Sequence, residues 1–183
     1  MRTTTLLLTI AAAAGTLSLS AAKVRVDLSG TKDGVVIQKG ESGGFDFNRA
    51  SWEPKEKQDK MCFLQKAVGA DYQEYSFSFI PQKEGAVRIS FGGNWSKEIA
   101  DRPFIIIDDI SINGELLPNG DFETWEEGKN APKWTTSGKP VLSTDANSGS
   151  SAFRINHDNR ITQEVKVEAG KTYTLKFSAK QAK

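Results

Sequence analysis

Two neighbouring carboxylates, Asp108 and Asp109, follow the apolar run Phe104-Ile-Ile-Ile, and a third, Glu123, closes Leu117-Pro-Asn-Gly-Asp-Phe-Glu. Acids so placed suggest glycoside cleavage, which needs two opposed carboxyl groups around one bond. Adjacent residues of a strand point to opposite faces, however, so Asp108 and Asp109 are not expected to flank a bond by themselves. The one histidine, His157, sits in His-Asp-Asn-Arg and reads as part of a solvated turn. No Gly-x-Ser-x-Gly elbow, phosphate loop or Cys–His pairing occurs, so no catalytic residue is assigned and an enzyme is not expected. The single cysteine, Cys62 in Met-Cys-Phe-Leu, reads as a small buried apolar residue and rules out an intrachain disulfide.

Sugar recognition is the other chemistry within reach. It sets aromatic faces against the C–H side of a pyranose while amides, acids and arginines order the hydroxyls. Trp95, Trp52 and Trp125 all fall in polar stretches, where an exposed aromatic needs a reason, and they are the candidate carbohydrate-binding residues. Trp95, in Gly92-Gly-Asn-Trp-Ser96, stands first among them. Its alternative is a loop residue folded over the end of the sandwich, since tryptophan is mostly buried.

The elements that must position these residues read as strands. Short apolar or alternating runs recur over 24–28, 35–39, 44–47, 61–65, 74–80, 86–91, 104–112, 141–143, 152–155, 160–167 and 172–179. Polar, glycine-bearing connectors such as Lys32-Asp-Gly and Gln82-Lys-Glu-Gly separate them, and no segment sustains a helical period. The pattern predicts an all-β fold, a two-sheet antiparallel β-sandwich. In Tyr75-Ser-Phe-Ser-Phe the strict alternation puts three rings on one face and two serines on the other. Stretches 48–60, 92–103 and 125–136 read as polar loops. Asn113-Gly114 and Pro118-Asn119-Gly120 supply chain-reversing positions, so the three acids lie on the arms of a β-turn-β unit.

Residues 1–22 read as a secretory signal peptide, with Arg2, an apolar stretch from Leu6 to Leu19, and small residues Ser20-Ala-Ala. A transmembrane anchor is the alternative, but Thr9, Thr16 and Ser18 interrupt a run already short of the roughly 20 apolar residues a bilayer needs. The expected location is therefore secreted, periplasmic or on the cell surface. With Arg2 set aside, the 24 basic and 23 acidic residues balance, which leaves no electrostatic footprint for nucleic acid or an anionic membrane.

The motif pair Leu117-Pro-Asn-Gly-Asp-Phe-Glu and Ile107-Asp-Asp-Ile-Ser-Ile resembles bacterial carbohydrate-binding modules of the galactose-binding-like jelly-roll kind, in which the first motif opens a module and the second closes one. Here the order is reversed: 117–180 looks like a first half and 23–112 like a second. The resemblance implies one circularly permuted jelly roll over 23–183, which close-lying chain ends permit. The competing account is a small sandwich over 23–113 followed by a truncated second module, 114–183, with sheet edges left uncovered. The resemblance further implies a structural Ca2+ held by Glu123 and one of Asp108 or Asp109, the alternative being acids that cap turns or face water. It implies a packing role for Trp134 after Pro132. The implied function is a secreted, non-catalytic module that binds polysaccharide or oligosaccharide as a monomer, without nucleic acid or membrane insertion. The alternative is a structural or adhesive surface module that binds no sugar.

Overall fold

The computed structural model describes residues 21–29, 35–37, 42–49, 61–125 and 129–183; Trp52 and nearly all of the expected leader lie outside them. The described residues form thirteen strands: β1 Lys23–Ser29, β2 Val35–Ile37, β3 Asp46–Arg49, β4 Met61–Ala67, β5 Gln73–Pro81, β6 Gly85–Gly93, β7 Ile105–Ile112, β8 Glu115–Leu116, β9 Thr135–Ser137, β10 Leu142–Ser143, β11 Ala152–Ile155, β12 Arg160–Val167 and β13 Tyr173–Gln181. They make two antiparallel sheets, β3-β4-β1-β6-β12-β9 and β10-β11-β7-β13-β5-β2, with β8 attached to β7. The expected β-sandwich is thus the architecture.

Alternation decides which side chains meet between the sheets. Val24, Val26 and Leu28 of β1 are buried together with Tyr75, Phe77 and Phe79 of β5, while Ser76 and Ser78 stay half-exposed. Phe177 of β13 stacks on Tyr75 at 5.6 Å and meets Phe91 of β6 edge-on at 5.2 Å, which ties one sheet to the other. Each such ring, fully buried, contributes about 1.5–3 kcal/mol.

Strands from both stretches of the chain interleave in each sheet. β12 pairs with β6 over Ile161–Val167, and β13 lies between β5 and β7. The two ends of the described sandwich are tied to successive residues: the Ala22 carbonyl accepts from Val68 N at 2.9 Å, and the Gly69 carbonyl accepts from Gln181 N at 2.7 Å.

Three local features depart from the sequence expectation. β9 begins at the end of the stretch read as a polar loop; three polar residues carry no period, and the strand forms by pairing with Arg160–Thr162. The stretch after Phe91 continues as strand through Gly93 before a single 3-10 turn at Ile99–Asp101. There Gly92 leaves room for the Arg160 side chain to cross the sheet and pair with the buried Asp27. In β7 a bulge breaks the ladder: Ser178 pairs with Asp108 and Lys176 with Ser111, so Asp109 and Ile110 together face Phe177.

Candidate functional site

The central turn is built as its residues dictate. Asn113 and Gly114, at φ 53° and 87°, form the two-residue link between β7 and β8, with Ile112 opposite Glu115. The chain then folds back on the bulged part of β7, Leu117 N donating to the Ile110 carbonyl and Ile110 N to the Gly120 carbonyl, both at 2.9 Å. Asn119, itself at φ 54°, joins three segments. Its Oδ1 accepts from Thr124 N at 3.1 Å, its Nδ2 donates to the Pro132 carbonyl at 3.1 Å, and its carbonyl accepts from Trp134 Nε1 at 2.9 Å. Trp134 is buried against Phe91 and Phe122, in the packing role expected for it.

The three acids grip one loop, 147–151. Asp108, fully buried, accepts from Asn147 N at 2.8 Å, Ser148 N at 3.2 Å and Asp109 N at 2.8 Å. Asp109 accepts from Asn147 Nδ2 at 2.7 Å and Ser148 Oγ at 2.5 Å. Adjacent strand residues were expected to diverge; the bulge and the positive φ of 52° at Asp109 cancel the alternation and turn both carboxylates to the same loop. Glu123 holds the far end, accepting from Ser150 N at 2.9 Å, Ser150 Oγ at 2.8 Å and Ser151 N at 2.8 Å. Between them Gly149, at φ 60°, passes so close to the Glu123 carboxylate that a Cβ would collide with it.

No described Lys or Arg forms an ion pair with any of these three acids; Lys180 pairs instead with Asp145, at 2.5 Å. Burial, opposed by the loop N–H groups and reinforced by the charge of Asp109, pushes the Asp108 carboxyl up to about 6. The amides and hydroxyl of Ser150 and Ser151 hold Glu123 below the usual carboxylate range. Tyr72, which donates to the Asp145 carbonyl at 2.6 Å, is raised by burial and then by Asp108, Asp145 and Asp109. Among the described residues no three His, Cys, Asp or Glu side chains converge as one metal-ligand set.

The tryptophans separate. Trp95 is 61% exposed on the loop after β6. Trp125 is half-buried, one ring face stacked on Phe153 at 4.7 Å and its Nε1 donating to the Lys129 carbonyl at 2.7 Å. Trp52 lies outside the described residues.

Sequence reasoning passed over a cleft of about 700 Å³ at the β12 edge of the first sheet, where β9 covers only Arg160–Thr162. Leu117, Pro118 and Val165 give it an apolar lining; Arg88, Lys133, Thr135, Thr162, Glu164 and Lys166 give it polar walls. Gln163 is buried to 8% exposure in the lining, and its Nε2 donates to the carbonyls of Pro118 and Lys133, each at 3.1 Å. Both contacts are acceptors, so the nitrogen must face them and the amide orientation is settled. Among the described residues none donates a hydrogen bond to Gln163 Oε1. The signal was present as a polar residue at a core-facing position between Ile161 and Val165. Trp95 is not among the residues that line the cleft. Compared with known protein families, with curated proteins and with solved structures, the chain matches none.

Proposed function

We propose that this chain is a secreted, non-catalytic carbohydrate-binding module of the galactose-binding-like jelly-roll kind, permuted in order, that attaches to polysaccharide through the cleft at the β12 edge. The observation that carries the reading is Gln163. A cleft with apolar surface from Leu117, Pro118 and Val165 and polar walls contains one immobilised amide whose oxygen suits a hydroxyl donor, and apolar surface combined with fixed polar groups is how small ligands are held. Trp95 offers a second, exposed aromatic contact on the same chain. Affinity electrophoresis through polysaccharide gels, with a glycan array, tests it. Retention that Gln163→Leu abolishes in a folded variant supports the reading; no retention by any polysaccharide leaves the structural or adhesive surface module in its place.

A structural calcium ion belongs to the same proposal. Asp108, Asp109 and Glu123 gather negative charge on one loop with no ion-paired cation, and carboxylate, hydroxyl and carbonyl oxygens are the ligands a hard cation takes. Since the three do not converge as one ligand set, Glu123 and one of Asp108 or Asp109 would hold the ion with hydroxyl and carbonyl oxygens of the loop, and it would supply the missing positive charge. The competing reading, acids that only cap the loop through its N–H groups, predicts no calcium response.

A further inference from the structure

We infer that the cleft takes an anionic saccharide, one bearing carboxylate or sulfate groups; this rests on the reading of the cleft as the sugar site. Three cations and one acid surround it. Arg88 and Glu164 face each other across β6 and β12 and are paired at 2.9 Å, both well exposed. Lys133 and Lys166 form no ion pair with any described residue, so the walls carry a surplus of two positive charges in a chain whose formal net charge is only +1. Lys166 stands two residues beyond Glu164 on β12, hence on the same face of the sheet as the Arg88–Glu164 pair.

Trp134 N donates to the Ala131 carbonyl at 3.0 Å, which closes a turn with Pro132 and Lys133 at its centre. Lys133 has φ 71°, so with proline before it this is a type II turn, whose third position favours glycine. A lysine there is held in a sparsely populated conformation, a cost that tends to persist where the side chain serves a purpose. Its backbone is pinned by the Gln163 amide, so the strained residue and the fixed amide form one unit on the cleft wall. An anionic sugar would set its charged group against Lys133 and Lys166 on the cleft walls, while Gln163, on the opposite, core-facing side of β12, fixes the Lys133 turn from within.

The test compares a polyuronate, a sulfated polysaccharide and a neutral polysaccharide by affinity electrophoresis and calorimetry, with single-stranded DNA as a polyanion control. The expected result is retention by one of the charged polymers, which identifies the group, weakening as salt rises. Lys133→Gly should weaken it about tenfold, the loss of one charge-assisted contact. Glycine suits the turn, so the melting temperature should hold or rise, and Lys133→Arg should keep binding. Equal retention by the neutral polymer, unaffected by Lys133→Gly, overturns the anionic inference and leaves the sugar reading standing. Retention by no polysaccharide overturns the reading beneath it. DNA binding as strong as that of either charged glycan overturns the inference as well, reducing the cleft to general attraction for polyanions.

Discussion

Gln163 donates its side-chain amide to the carbonyl of Lys133 at 3.1 Å, and through it β12 holds in place a turn thirty residues away in the chain. The same nitrogen serves Pro118, so one buried side chain fastens two loops to the edge of the first sheet. Gln163→Leu leaves those carbonyls without their donor and is expected to cost about 1–3 kcal/mol in urea denaturation. Gln163→Glu should cost more at neutral pH, because a carboxylate cannot donate to either carbonyl. Equal losses would mean that packing, not the amide, secures the loops.

Trp95 and Trp134 should behave in opposite ways. Trp95→Ala removes an exposed ring and should change stability by less than about 0.5 kcal/mol. Trp134→Ala empties a site between Phe91 and Phe122 and releases its hydrogen bond to Asn119, at a cost of about 3–5 kcal/mol. Thermal and chemical melts of the two variants check this directly.

Calcium should raise the melting temperature of chelator-treated protein and give a calorimetric isotherm near one ion per chain. Glu123→Gln should weaken both effects. Without calcium the same variant should speed amide exchange at Ser150 and Ser151, whose N–H groups the carboxylate holds. A flat titration with no thermal shift ends the ion-site proposal and leaves the acids as loop caps.

In chelator, stability should depend on pH in two opposed steps. Asp108 has its carboxyl raised from 3.8 to about 6 among Asp109, Tyr72, Asp145 and nearby Lys180, so its contribution is fully present below about 4 and is lost as pH rises through about 6. Glu123 is lowered from 4.5, so its contribution is present above 4.5 and is lost as pH falls through the lower folded value. Asp108→Asn should flatten the first step, between about pH 6 and 4, and Glu123→Gln the second. Identical pH profiles for wild type and Asp108→Asn would count against the assignment.

The closeness of the two ends predicts that the chain can be reordered. With Ala22 and Gln181 bonded to Val68 and Gly69, a chain reading 114–183, a short linker, then 23–113 should fold to a similar sandwich with a similar near-ultraviolet spectrum. A permutant that stays unfolded would show that the β7–β8 link contributes more than a connection.

What the sequence by itself determined is local. Alternation in Tyr75-Ser-Phe-Ser-Phe settles which face of β5 is dry, and Asn113-Gly114 settles where β7 turns back, because side-chain direction and positive φ depend on a few consecutive residues. Only the tertiary structure decided that Asp108 and Asp109 reach the same loop, since the bulge exists only against β13. It likewise decided that Trp125 lies on Phe153, and that Arg88, Pro118, Lys133 and Gln163 border one cleft. Those relations depend on the register of strands far apart in the chain, which no local period carries, so the cleft and the cluster of acids around loop 147–151 emerge only when the two sheets close over their core.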